Sequence, residues 1–157
     1  MFPLLDGRWE AQLYSNWPLI RRTYETAKAG GPAFDALIDH LTDEEQRERN
    51  VKAEVIITSS LFLISMTLRP VGSERVSRTR FVRPLWRRPE LPELSYVFQQ
   101  EDFGPVANTD ERKHFGAGIV SYDPDTGDLR GEYWNNRRED AGLNTAGTIR
   151  MKRMPEP

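Results

Sequence analysis

The stretch Asp128–Met154, DLRGEYWNNRREDAGLNTAGTIRMKRM, decides the fold. Strand side chains alternate faces, so Leu129, Gly131, Tyr133, Asn135 and Arg137 share one side, and Arg130, Glu132, Trp134 and Asn136 share the other. A turn-rich segment from Glu139 to Ala146 follows, and then Thr148, Arg150 and Lys152 alternate with Ile149 and Met151. This pattern predicts a closing hairpin. Its first inward series starts apolar at Leu129 and ends polar and cationic at Asn135 and Arg137. A sheet closed on itself places such a series down a pocket wall, with an apolar floor and a polar mouth. The expectation is a small ligand-holding β-barrel.

Working outward, the other strands fall into place. Gly7–Trp17 alternates Trp9, Ala11 and Leu13 with Arg8, Glu10 and Gln12, a first strand that Pro18 stops. Val51–Ser60 carries Ala53, Val55 and Ile57 on one face. Leu61–Pro70 places Ser65, Thr67 and Arg69 along one side, and Val71–Gly72–Ser73 turns the chain. Glu74–Arg83 sets Ser77, Thr79 and Phe81 against Val76, Arg78, Arg80 and Val82. Pro84–Pro92 reads as a loop, Leu94–Gln99 as a strand, Glu101–His114 as a long polar loop and Phe115–Tyr122 as a strand. DPDTGD, Asp123–Asp128, has Pro and Gly where a hairpin turn wants them. Eight strands with hairpin-length links fit an all-β, antiparallel up-and-down, lipocalin-like barrel, which removes exposed edges by closing.

The exception is Leu19–Arg49, a helical insertion (residues 19–49) between the first two strands, split by Gly30, Gly31 and Pro32. Phe34, Leu37, Ile38 and Leu41 form an amphipathic stripe, and Thr42 and Glu45 have capping-box spacing. The stripe is expected to lie on, or plug, one end of the barrel, the alternative being a partner-binding helix.

Composition narrows the function. At 157 residues the chain reads as one domain, with a net charge of −2 that draws it to no nucleic acid as a whole. With no cysteine, disulfides and thiol catalysis are excluded, and a reducing compartment such as the cytoplasm fits. MFPLLDGRWE has no basic n-region or long apolar run, so no signal peptide is expected. The longest apolar stretch, Leu61–Met66, is too short to span a bilayer.

Catalysis has little support. His40 and His114 are the only histidines and lie in different segments, and no nucleophile elbow, paired-His motif or phosphate-binding glycine loop is present. Asp123, Asp125 and Asp128 lack the spacing and bidentate Glu of a calcium loop. Binding has more. Residues 69–88 hold seven arginines (Arg69, Arg75, Arg78, Arg80, Arg83, Arg87, Arg88) against the single acid Glu74, with Trp86 among them. Arginine offers a rigid fork of donors suited to phosphate. The window reads either as an anion site at a barrel rim or as solvated strand faces, and alternation turns Arg78 and Arg80 outward. Ser65, Thr67, Ser77 and Thr79 supply hydroxyls for a polar ligand, and Tyr96, Tyr133, Trp9 and Phe98 supply flat surfaces or core.

These residues also carry a resemblance. Leu5-Asp6-Gly7-Arg8-Trp9, the hydroxyl-rich hairpin Thr67–Thr79 with Ser73 and Ser77, His114-Phe115-Gly116, and Leu129-x-Gly131-x-Tyr133 through Arg137 to Gly147-Thr148-Ile149 occur in order. Together they resemble the STING-like β-barrel sensor of bacterial anti-phage CBASS effectors, the CD-NTase-associated, membrane-pore type. The resemblance implies a non-enzymatic receptor without cofactor or metal. Its ligand is a cyclic dinucleotide made by a partner CD-NTase, and binding drives homo-oligomerisation and an effector response. The family's two transmembrane helices have no counterpart in this sequence, and the 19–49 insertion is a second departure. The ligand-binding residues expected are Arg137 first, for phosphate, with Tyr133, Asn135, Ser77, Thr79, Arg78, Thr67, Tyr96 and Trp9. The alternatives are a lipocalin-like carrier of a small molecule and an RNA- or protein-binding module.

Overall fold

The structure is a computed structural model describing residues 4–31, 42–60, 63–85, 92–103, 113–138 and 143–155. Eight strands run in chain order: β1 (Gly7–Ser15), β2 (Asn50–Ser59), β3 (Ile64–Pro70), β4 (Arg75–Leu85), β5 (Glu93–Asp102), β6 (Lys113–Tyr122), β7 (Leu129–Arg138) and β8 (Leu143–Arg153). Each pairs antiparallel with its sequence neighbour, and β1 pairs with β8 to close the barrel. The all-β, up-and-down expectation holds.

Among the described residues, two helices lie between β1 and β2: α1 (Trp17–Lys28) and α2 (Asp43–Arg49). Trp17 does not end the first strand; it opens α1, with Pro18 in the first turn, where proline's missing N–H goes unmissed. The capping box of α2 forms as its spacing predicts. Thr42 Oγ1 accepts from the Glu45 N–H at 3.2 Å, and the Glu45 carboxylate accepts from the Thr42 N–H at 2.8 Å. The stripe Phe34–Leu41, His40, and the part of the arginine window comprising Trp86, Arg87 and Arg88 lie outside the described residues.

The floor of the barrel explains the opening motif. Gly7, at φ 130°, takes a conformation that side chains disfavour, so the chain before it can fold under the strands. Leu5 is then buried beneath the tube, and Trp9 Nε1 donates to the Leu5 carbonyl at 3.0 Å. Trp9 has no exposed surface and packs with Ile57, Leu94, Val120, Leu129 and Met151 into the closed end. Burying each such side chain contributes about 1.5–3 kcal/mol.

Several strands run longer than their composition suggests. Pro84 and Leu85 continue β4, because proline's fixed φ suits an extended strand and sacrifices one ladder bond only. Glu101–Asp102 continue β5 and Lys113–His114 begin β6. These polar ends are held by opposite charges facing across the ladder: Arg75 opposite Asp102, and Lys113 opposite Glu101. Residues 143–146, expected in the turn, begin β8.

Register shifts occur on two ladders, β7–β8 between Asn135 and Arg138 and β4–β5. Between Thr79 and Phe81 the β4–β5 register shifts by a residue, so Thr79 opposes Phe98 while Phe81 opposes Val97. This β-bulge at Arg80 turns Phe81 outward, where half its surface is exposed, instead of following Ser77 and Thr79 inward.

Candidate ligand cavity

Above the floor the barrel is hollow. A cavity of about 380 Å³ opens at the end where β1 leaves, β7 ends and β8 begins. Interiors of eight-stranded barrels are either filled by side chains or hold one small ligand. Two glycines help decide this case. Gly118 faces Tyr96 and Tyr133 across the ladders, and a Cβ there would lie 2.4 Å from the Tyr96 ring. Gly147 faces Tyr133, and a Cβ there would lie 2.2 Å from the Tyr14 carbonyl. With no side chains at 118 and 147, both tyrosines lie down along the wall.

The wall has two unlike halves. Leu13 from β1, Val51 and Val55 from β2, and Met66 and Leu68 from β3 make an apolar side. Ser77 from β4, Tyr96 and Gln100 from β5, Tyr133, Asn135 and Arg137 from β7, and Thr145 from β8 make a more polar one, in which Phe98, Ile149 and Met151 are the apolar members. The polar groups are braced. Thr145 Oγ1 donates to the Asn135 side-chain oxygen Oδ1 at 2.6 Å, and Ser77 donates to the Gln100 side-chain oxygen at 3.2 Å. Burial pushes the Tyr96 hydroxyl well above the ordinary phenol range, with the neighbouring Tyr133 adding to the shift. Burial raises Tyr133 too, opposed by a hydrogen bond with Ser15 and by the charge of Arg137. Both are therefore neutral hydrogen-bonding groups at physiological pH.

The mouth carries the cations. Arg137 is only 9% exposed, lines the cavity, and stacks on the Trp17 ring. Arg75 enters the lining from β4, paired with Asp102 at 2.7 Å. From the helices come Trp17 and Arg21 of α1 and Glu48 of α2, the last two paired at 2.7 Å. Among the described residues no group of His, Cys, Asp and Glu side chains could hold a metal ion.

Of the residues expected from sequence, Arg137, Tyr133, Asn135, Ser77, Thr79 and Tyr96 meet in this one cavity. Three do not. Thr67 and Arg78 face each other across β3 and β4 on the outer surface, because the inward parity of β3 belongs to Met66 and Leu68. Ser65 points outward with them, bonded to Thr58. Trp9 lies beneath the cavity, in the floor. Thr79 lines the cavity but its hydroxyl is occupied: it accepts from the Met66 N–H at 2.8 Å and donates to the Met66 carbonyl. The arginine window does not act as a unit; of its described members only Arg75 reaches the cavity, and Arg69, Arg78, Arg80 and Arg83 are exposed.

Trp17, Gln100 and Thr145 complete the site and were absent from the sequence reading. The proline after Trp17 was the available signal for Trp17, since it marks a helix start as readily as a strand stop. No helix among the described residues is long and apolar enough to cross a membrane. No family model matches the chain, and a search of curated proteins finds no match.

Proposed function

We propose that the barrel is a receptor for a small, flat-faced anionic ligand, of the cyclic dinucleotide class, in an anti-phage defence system of the CBASS type. The carrying observation is Arg137, a buried cation on the same strand face as Asn135 and Tyr133, inside an open cavity. A cyclic dinucleotide offers two phosphates, two riboses and two planar bases. Arg137 and Arg75 supply guanidinium groups for phosphate from two different strands, β7 and β4. Asn135, Thr145, Ser77 and Gln100 supply donors and acceptors for ribose and base edges. Tyr133, Tyr96, Phe98 and the apolar wall accept base faces. The cavity's size falls within the usual small-molecule range of roughly 300–1,000 Å³. In this reading the signal comes from a partner nucleotidyltransferase, and the bound barrel drives an effector by binding rather than by catalysis.

The apolar half-wall of β1–β3 favours a second reading, a lipocalin-like carrier of an amphipathic small molecule. Thermal melting with a panel of cyclic di- and trinucleotides, beside a fatty acid and a retinoid, separates the two. A true ligand at a hundredfold excess over its Kd adds about 2.7 kcal/mol to stability. A shift with a cyclic nucleotide supports the receptor; a shift with the lipidic probes alone supports the carrier.

A further inference from the structure

The outer surface of the barrel is not uniform. On β8, β1 and β2 the outward positions are mostly polar: Thr148, Arg150 and Lys152, then Arg8, Glu10 and Gln12, then Lys52 and Glu54, with Tyr14 and Ile56 the large apolar exceptions. On β4–β7 an apolar row crosses this outward parity, between polar positions such as Arg78, Arg83, Arg130 and Glu132. Phe81 opposes Val97, Val97 opposes Ala117, and Ala117 opposes Trp134, giving one unbroken row across four strands. Phe115 and Ile119 flank it on β6, and Phe81, Val97, Phe115, Ile119 and Trp134 are each 40–54% exposed. Helices α1 and α2 pack on the opposite side, against β8, β1 and β2.

Scattered exposed apolar residues are ordinary, but a contiguous patch rimmed by charge marks an interaction surface. Two features say what covers this one. First, the neighbouring row runs Arg83, Ser95, Ile119, Glu132, with a cation at its β4 end and an anion at its β7 end. A two-fold axis parallel to the strands, between β5 and β6, superposes the β4 end of one copy on the β7 end of another. It sets Arg83 against Glu132 twice and Phe81 against Trp134 twice, the self-complementarity that an isologous contact requires. Second, the bulky rings stand at the ends of the row and the small Val97 and Ala117 in its middle. Large flanking side chains fill the space that opens between two convex barrels meeting along β5 and β6. Partly exposed, the five large side chains offer roughly 400 Å² of apolar surface, about half of what each partner contributes to a standard interface. The charged rim supplies the remainder.

We propose that this face joins two copies of the chain into a symmetric dimer that forms without ligand. The face lies on the side wall, whereas the cavity opens at the barrel's end, so dimerisation is independent of what the cavity binds and of the function proposed above.

Sedimentation velocity on the whole ligand-free chain across a micromolar dilution series is the test. The expected result is a monomer–dimer equilibrium. Trp134→Glu should weaken it about thirtyfold or more, because it removes an aromatic anchor at both ends of the symmetric contact. Arg83→Glu and Glu132→Arg should each weaken it, and the double exchange should restore it, a rescue that a misfolded variant cannot mimic. A strictly monomeric wild-type chain over that range overturns the proposal. So does a dimer that survives Trp134→Glu and both single charge reversals, since another surface would then hold it.

Discussion

The guanidinium carbon of Arg137 lies 4.0 Å from the centroid of the Trp17 ring. This contact ties the end of β7 to the start of α1 across the barrel mouth. Asn16 reinforces it, since its N–H donates to the Ala146 carbonyl at 3.0 Å and its side chain accepts from the Ala146 N–H at 2.9 Å. The stack holds the arginine plane in place before any ligand arrives, which reduces the ordering cost of binding. Arg137→Ala should weaken binding of an anionic ligand about tenfold to a hundredfold, the usual value of hydrogen bonds to a charged group. It should lower stability by about 1–2 kcal/mol through the lost cation–π contact, leaving the barrel folded. Arg137→Lys should recover little, because an ammonium neither stacks nor forks. Calorimetry for affinity and circular dichroism for melting check both parts.

Thr79 stands next to Ser77 in the inward series, yet its role is different. The β3–β4 ladder is thin, with Thr67 opposite Arg78 and Leu68 opposite Ser77, and the Thr79 hydroxyl extends it by bonding both the N–H and the carbonyl of Met66. Thr79→Val should cost about 1–3 kcal/mol, because it strands a partly buried N–H. Ligand affinity should be nearly unchanged. Urea denaturation against titration distinguishes a structural hydroxyl from a binding one.

Gly118→Ala places a methyl 2.4 Å from the Tyr96 ring and 2.9 Å from the Glu132 carbonyl. The ring can only move into the cavity. The expected cost is about 1–3 kcal/mol for overpacking, together with a weaker ligand site. Tyr96→Phe in the same background relieves little, since ring carbon as well as oxygen meets the new methyl. Equilibrium unfolding of the single and double variants checks this.

How much of this was legible beforehand differs from strand to strand. β7 was largely legible, because the apolar-to-cationic gradient from Leu129 to Arg137 has a single inward parity, whereas the register shift between Asn135 and Arg138 and the start of β8 at Leu143 leave no such mark. β3 was misread, since Ser65, Thr67 and Arg69 and the opposing Met66 and Leu68 are both plausible inward sets. The choice is made by pairing with β2, where Val55 and Ile57 turn Leu68 and Met66 inward with them. The bulge at Arg80 leaves no mark in composition, so Phe81 was assigned the wrong face. Trp9 was correctly taken as inward, but parity gives the face and not the height, and Trp9 sits below the cavity. Trp17, Gln100 and Thr145 depended on strand ends, which short-range patterns place poorly because a single cross-strand partner can extend them.

Burial of Tyr96 raises its folded-state pKa above the ordinary phenol value of about 10, and Tyr133 shifts the same way. Below pH 10 both states are neutral and the pair costs nothing in pH dependence. Above it the unfolded chain releases protons that the folded chain retains, so stability falls as pH rises. Unfolding free energy should therefore drop between pH 9 and pH 11, and Tyr96→Phe should flatten that slope while changing little at pH 7. Denaturant titrations at the three pH values measure it.

Isothermal titration of the whole chain with cyclic dinucleotides probes the central claim most directly. The account predicts saturable binding of at least one of them, one ligand per barrel, with the heat strongly reduced in Arg137→Ala. No heat from any cyclic dinucleotide, or binding that Arg137→Ala leaves intact, would contradict it.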